Sequence, residues 1–249
     1  MKIFKTDQDY YGDWEYITNS QLGYLKRGRE YYEMMKQGLS IDSPALRFGN
    51  LLHTLVLEPK EYQNKFIVFN PDDRPEPTKS MASKLNKAWK ESLEKREGIV
   101  INLEQYNKAL YMRDKLNSNK EIKKILNNSS KEVSKCWIDF NTMVKCKGKA
   151  DIVVEGGDML VDIKTTSKPI TDFRKSAFRY SYHRQAAFYL DGFNAKEFLF
   201  IVIETNEPYQ IGIYRCSENF IEQGREEYIS LLEEFKLPLV KNNIIYGEL

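Results

Sequence analysis

The chain has 249 residues, 41% of them apolar and 30% charged, which excludes a disordered chain and allows a sizeable core. Its 38 Lys and Arg nearly cancel 36 Asp and Glu, leaving +2. That balance excludes a histone-like or tail-driven nucleic-acid binder, but not a local basic surface. No apolar run approaches the roughly 18 residues of a bilayer span. Residues 1–7 lack the hydrophobic stretch of a secretory leader. Cys136, Cys146 and Cys216 form no C-x-x-C pair, so reduced thiols in a cytosolic protein are expected. Three cysteines are too few for an all-cysteine iron–sulfur cluster or a four-cysteine zinc site. There is no G-x-x-x-x-G-K-[ST] motif, so no ATP-driven motor of that kind is encoded.

In chain order, residues 1–16 are aromatic and acidic without periodicity. Thr18-Asn-Ser20 predicts the cap of one helix running to about Gln37. Asp42-Ser-Pro44 predicts a second, Ala45–Leu57, stopped by Pro59. Residues 70–79 carry three prolines and five charged residues and predict a mobile, solvated loop. Helices are expected over about 80–96 and 102–127, the latter closed by Asn127-Asn128. Runs rich in Val, Ile and Met predict strands at 133–140, 143–155 and 158–166. A helix at about 172–192, strands at 197–204 and 209–216, and an acidic helix at 218–236 complete the chain. That order predicts an α/β fold, a mixed sheet flanked by helices. It divides into a helical N-terminal part, 1–97, packed on a core at 98–249 with its regular structure ending near 236.

The segment from Asp151 to Lys164 carries most of the chemistry. Two apolar strands flank Gly156-Gly157, a pair that accepts the positive φ of a two-residue hairpin loop. With that loop, the numbers of facing residues add to 313, and Asp151 stands opposite Asp162 with Cβ atoms about 4.5–5.5 Å apart. Lys164 shares their face, while Ile152, Val154, Val161 and Ile163 point into the core. Two facing carboxylates are destabilising unless a shared proton, a basic neighbour or a divalent cation compensates. An oxygen-rich site with few protein ligands suits Mg²⁺ or Mn²⁺. Lys164 beside it can orient or deprotonate a water, or stabilise charge at phosphorus. Taken alone, Asp-x-Lys in a strand is also consistent with a surface salt-bridge cluster.

Asp151, ten intervening residues, then Asp162-Ile163-Lys164 resembles the PD-(D/E)XK nuclease superfamily. Within it the chain resembles the exonuclease VIII (RecE) group of phage and prophage recombination exonucleases. Ile17-Thr-Asn-Ser-Gln-Leu22 is similar to that group's opening helix. Phe48-Gly-Asn-Leu-Leu-His-Thr-Leu-Val-Leu-Glu-Pro59 is similar to its G-x-x-x-H-x-L-x-L-E-P stretch. Asp162-Ile-Lys-Thr-Thr166 is similar to its D-[VI]-K-T-T strand, and Tyr182-His-Arg-Gln-Ala-Ala-Phe-Tyr189 to its Y-H-x-Q-x-A-F-Y helix. These motifs occur in order over about residues 17–230.

The resemblance implies a restriction-endonuclease-like core and a Mg²⁺-dependent exonuclease, with Mn²⁺ substituting. It implies 5′-to-3′ digestion from double-stranded DNA ends, leaving 3′ single strands for a single-strand annealing protein. It also implies a ring-shaped homo-oligomer, a tetramer, in the cytoplasm of a bacterial host. Asp151, Asp162, the Ile163 carbonyl and His53 would hold one or two cations, with Lys164 assisting the water. By itself, His53 among leucines reads as a core or surface histidine; the resemblance implies a metal ligand. Gly49, four residues earlier, is expected to admit a close backbone approach. Glu58 reads first as helix-end structure. Tyr182, Gln185 and Tyr189 form one helical stripe that by itself reads as solvated; the resemblance implies that Gln185 and Tyr189 brace the site or touch the DNA backbone. Phe188 and Leu190 face elsewhere, and Glu132 matches a family acidic position as catalytic support. Lys149 stands where the family often has Arg before its first aspartate.

Six basic residues at 164–184, from Lys164 to Arg184, face one acid, Asp172, and 120–149 hold eight Lys against three acids. These predict a basic wall beside the site, with the acidic last helix away from DNA. Two other functions fit the same residues: an endonuclease or junction resolvase, and a DNA-binding or assembly module without catalysis.

Overall fold

The computed structural model describes residues 4, 6–39 and 41–238; the end of the expected core, 239–249, lies outside the described residues. Thr6 caps a short helix, α1 (Asp7–Gly12), in a segment that lacks periodicity. The helix expected from Thr18 to Gln37 is two, α2 (Asn19–Leu25) and α3 (Arg29–Lys36). Thr18 and Gln21 form the predicted start as a reciprocal capping box. Gly28 then takes φ 111°, which no right-handed helix allows, and turns the chain. Ser43 caps α4 (Pro44–Leu57), with proline in its first turn.

A short helix α5 (Tyr62–Lys65) leads into β1 (Phe66–Phe69). The loop expected at 70–79 follows, its backbone tied by the buried Asn86, whose side chain donates to the Glu76 carbonyl at 2.9 Å. Next come α6 (Lys84–Glu94) and β2 (Ile99–Asn102), which pairs in parallel with β1. The helix expected over 102–127 is broken into α7 (Leu103–Ser118) and α8 (Lys120–Asn127), because Asn119 leaves helical geometry and caps the second.

The main sheet comprises β3 (Ser129–Ile138), β4 (Lys145–Val154), β5 (Met159–Thr166), β6 (Glu197–Glu204) and β7 (Ile211–Arg215). Between β5 and β6 run α9 (Phe173–Arg179) and α10 (Tyr182–Phe193), and the chain's last described helix is α11 (Glu218–Lys236). The expected helix at 172–192 is thus two, since Ser181 adopts a left-handed φ of 54°. The strands lie in the order β3-β4-β5-β6-β7, with β5 and β6 parallel and the other neighbours antiparallel. This is the mixed, helix-flanked α/β sheet the element order predicts.

Each face of the sheet builds its own core. On one, Ala150, Leu160, Phe198 and Phe200 pack with Leu22, Phe188 and Leu232. On the other, Ile152, Val161, Ile163 and Ile201 pack with Leu51, Leu55, Met112 and Leu116. Ala150 and Ile152 are two residues apart yet sit in opposite cores, so strand alternation breaks at Asp151.

Helices α10 and α11 are in close contact. A Cβ at Gly224 would stand 2.0 Å from the His183 carbonyl oxygen. One turn on, Glu227 accepts from His183 Nε2 and Arg184 Nη1, each at 2.8 Å, and from Lys26 Nζ at 3.0 Å. Burial opposes this carboxylate's charge, but those three partners outweigh it and hold the pKa down at about 2. The acidic helix therefore faces inward here, clamping the start of α10.

Candidate active site

The hairpin register is as the sequence predicts: Ile152 pairs with Val161 and Val153 with Leu160, so facing numbers add to 313. The loop is wider than expected. Four residues, 155–158, join the strands, with Gly156 and Gly157 at φ 94° and 79° and Gly157 N–H closing on the Val154 carbonyl at 2.9 Å. The expected direct pair of Asp151 and Asp162 does not form as a ladder pair. The ladder stops at Ile152, and Asp151 turns its own carboxylate into the gap, Oδ2 accepting from Ile163 N–H at 3.2 Å.

Across β3, Glu132 holds the corresponding level, between the pairs Lys131–Ile152 and Val133–Ala150, at a left-handed φ of 52°. A non-glycine residue there is strained, and such strain concentrates where function needs a side chain re-aimed. Three acids thus stand at one level of adjoining strands. His53 reaches them from α4, with Nδ1 3.2 Å from Asp151 Oδ2 and Nε2 against the Ile163 carbonyl oxygen. Ligating atoms of His53, Glu132 and Asp151 all lie within 4.8 Å of one another.

Asp162, 4% exposed, accepts from Gln185 Nε2 through Oδ1 and faces Lys164 Nζ at 2.7 Å through Oδ2. That Oδ2 contact is ionic without a directed hydrogen bond, so a buried oxygen keeps acceptor capacity. Lys164 Nζ also lies 4.8 Å over the Tyr182 ring. Burial pulls this ammonium's pKa down, but Asp162, Tyr182 and Asp151 outweigh it, and the net shift is upward.

Tyr189, whose phenol burial keeps neutral well beyond its ordinary range, packs on the glycine before Lys149. A Cβ at Gly148 would meet its ring at 3.0 Å. The stripe of Tyr182, Gln185 and Tyr189 therefore faces the site, and Phe188 and Leu190 are buried in the core.

A cleft of about 1380 Å³ opens over these groups, lined by His53, Glu132, Asp151, Lys164 and Tyr189 among others. Several expectations are corrected here. Arg184 belongs to no basic wall; it is buried, paired with Glu227 and bonded to Asn19. Lys147 is likewise buried, donating to the Tyr10 and Asp13 carbonyls. Gly49 meets only the Thr165 hydroxyl, 3.7 Å from where its Cβ would be, so no close backbone approach requires a glycine. Glu58 caps α4 and pairs with Lys65 at 2.8 Å, the helix-end reading. Lys149 ion-pairs Glu132 at 2.7 Å.

The donor set fits a hard divalent cation: two carboxylates, an imidazole and a backbone carbonyl beside a buried acceptor. Both ring nitrogens of His53 face oxygen atoms. A neutral imidazole has one N–H, so one contact needs either a second proton or a cation. Glu132, expected as catalytic support, is the third member of this cluster; Asp162 lies beside it, held by Gln185 and Lys164.

A family model described as a PDDEXK-like domain of unknown function (DUF3799) matches residues 20–243. The chain belongs to this PDDEXK-like family. No curated protein sequence matches it. The fold is similar to the crystal structure of a "Putative exonuclease" from Eubacterium rectale, with a TM-score of 0.63 and 14% identity, covering 100% of this chain and 96% of that one. At that identity the likeness carries the fold. The crystal structure of SSO0001 aligns over 88% of this chain and 77% of that one, at 15% identity and a TM-score of 0.41, too low to bear on the fold. Family and sheet together place the chain in the PD-(D/E)XK nuclease superfamily.

In this PDDEXK-like chain the acid cluster has a direct consequence for stability. Burial, and next the charge of Asp162, push the Asp151 carboxyl from 3.8 up to about 7, with Glu132 adding and His53 and Lys164 opposing. An acid raised on folding holds its proton longer in the folded state. Its stabilising contribution is complete below its unfolded pKa and is lost as pH rises through its folded one. The metal-free protein is therefore expected to lose on the order of 2–4 kcal/mol between about pH 4 and pH 7 through Asp151. Thermal melts in EDTA across that range should show this slope, and Asp151→Asn should flatten it. Mn²⁺ at pH 7.5 should recover the loss in the parent chain but not in that variant. Equal slopes in the two proteins would remove Asp151 as the cause.

Proposed function

We propose that this chain is a divalent-cation-dependent nuclease that digests double-stranded DNA from its ends, 5′ to 3′, leaving 3′ single strands. The observation that carries the reading is the meeting of His53, Glu132, Asp151 and Lys164 at one cleft of a PDDEXK-like fold, with Asp162 buried behind Lys164. The order of the four motifs supports the recombination-exonuclease assignment and the 5′-to-3′ polarity. The same resemblance supports a ring-shaped tetramer working with a single-strand annealing protein in a bacterial cytoplasm.

The cation would be Mg²⁺, with Mn²⁺ substituting, held by His53, Asp151, Asp162 and the Ile163 carbonyl, with Glu132 available beside them. Bound there, it supplies Lewis acidity to the scissile phosphate and lowers the pKa of an attacking water. The protein's own groups define the rest. Lys164, held protonated by Asp162, suits donation to a phosphate oxygen as charge builds at phosphorus, and is poorly suited to taking a proton from water. Gln185 fixes the rotamer of Asp162 through Oδ1, leaving Oδ2 to the site. Tyr189 lines the cleft and packs its ring against Gly148.

End-labelled linear duplex, with Mg²⁺ and with EDTA, tests the reading. Cation-dependent release of nucleotides from 5′ ends, with covalently closed circles left intact, is expected. Prompt cutting of the closed circle would assign the site to an endonuclease or resolvase instead. Binding without cleavage under every cation would leave only a DNA-binding module.

A further inference from the structure

The cleft is lined by six lysines: Lys65, Lys108, Lys147, Lys149, Lys164 and Lys168. Four have partners. Lys65 pairs with Glu58, Lys149 with Glu132 and Lys164 with Asp162, while Lys147 donates to two backbone carbonyls. Among the described residues no carboxylate pairs with Lys108 or Lys168, so their charge is available to a ligand.

Both line the cleft that opens over the acid cluster. Lys168 follows the C-terminal end of β5, its backbone N–H turned onto the Thr166 hydroxyl at 3.1 Å. Thr205, at the end of β6, donates its N–H to the Thr166 carbonyl at 2.8 Å and lines the same wall with Ser167. Strands β5 and β6 are parallel, and the carboxyl end of parallel strands is where open α/β sheets hold ligands. Lys108 comes from α7, and its Nζ sits 5.4 Å from the Phe48 ring centre and 5.9 Å from that of Tyr209. Tyr209 is held at a left-handed φ of 55°, and its ring stacks obliquely against Tyr111 at 5.2 Å. Aromatic faces thus hold an ammonium in place without neutralising it.

Resting on the nuclease reading above, we propose that Lys108 and Lys168 form a phosphate-gripping subsite for the nucleic-acid strand beside the acid cluster. Ser167 and Thr205 supply hydroxyl donors along the wall between them. Two point charges at the end of the parallel strands contact phosphates next to the one being cut. Hydroxyls and lysines of this kind set a strand's register and read no sequence. The subsite therefore fixes position and affinity, and the acid cluster supplies the chemistry. It keeps Lys168 of the basic run at 164–184, drops the buried Arg184 and adds Lys108 from α7.

A fluorescent linear duplex titrated in EDTA, where no cleavage occurs, tests this through the salt dependence of binding. Each lost phosphate contact lowers the log–log slope by about 0.9. Lys108→Gln with Lys168→Gln is expected to lower the slope by about 1.8 and weaken affinity about 10-fold or more at low salt. Lys168→Gln alone, on an exposed side chain, should read half the slope change. The double Lys→Arg variant should keep the parent slope. Lys196→Gln, at the opposite end of the sheet beside Asp158, should change nothing. A double Gln variant that keeps slope and affinity, in a protein whose parent binds and cuts duplex, overturns the subsite and leaves the nuclease reading standing. A parent protein that neither binds nor cuts DNA sinks the nuclease reading, and the subsite with it.

Discussion

Asp162→Asn is expected to lower cleavage of duplex DNA by at least about 1000-fold, while the melting temperature moves by only a few degrees. The residue is 4% exposed, with Oδ1 accepting from Gln185 and Oδ2 facing Lys164 Nζ at 2.7 Å. An amide keeps Oδ1 for Gln185 but sets an N–H against Lys164 Nζ in place of a carboxylate oxygen. Two effects on stability then oppose. The charge that helps push Asp151 up to about 7 disappears, which favours the fold near neutral pH. Lys164 loses its partner, which disfavours it. The near cancellation separates a chemical role from a structural one. Single-turnover cleavage and a thermal melt on one preparation measure both. Turnover within tenfold of the parent would take Asp162 out of the mechanism.

Gly224→Ala is the second large effect, and it acts on the fold. The new methyl would stand 2.0 Å from the His183 carbonyl oxygen, 2.3 Å from its carbonyl carbon and 2.8 Å from Arg184 N. All three are backbone atoms of α10, so no side chain can rotate away. The helices must part, and overpacking of that kind costs about 3 kcal/mol or more. Helix α10 also carries Gln185 and Tyr189, so cleavage should fall even well below the melting transition. Chemical denaturation gives the stability change, and activity at 20 °C gives the displacement. An unchanged midpoint would mean that the two helices do not pack as described.

Elements with local signatures were legible in the sequence. The helix start at Asp42-Ser-Pro44, the hairpin register, and the helix at 218–236 depend on neighbours close in the chain. What was missed depends on distant packing or on one residue's backbone. The left-handed turn at Ser181 has no glycine to mark it, so α9 and α10 read as one helix. The parallel pair of Phe66–Phe69 with Ile99–Asn102 joins two four-residue runs too short to show a period. Glu132 drew notice only through a family position, because nothing local announces a positive φ inside a strand. His53 and Asp151 are 98 positions apart, and only the motif resemblance joined them before the fold did. Of the basic residues at 164–184, Arg184 turns inward, because charge along a chain does not say which side chains are buried.

The carboxylate of Asp151 occupies the place a strand-to-strand hydrogen bond would have taken. That single acceptor keeps the hairpin forked. An aliphatic residue of the same length there would leave the Ile163 amide hungry for a partner and invite β4 and β5 to zip further, shutting the mouth in which the acids meet. One acid of the cluster thus also keeps the strands apart beside the cleft.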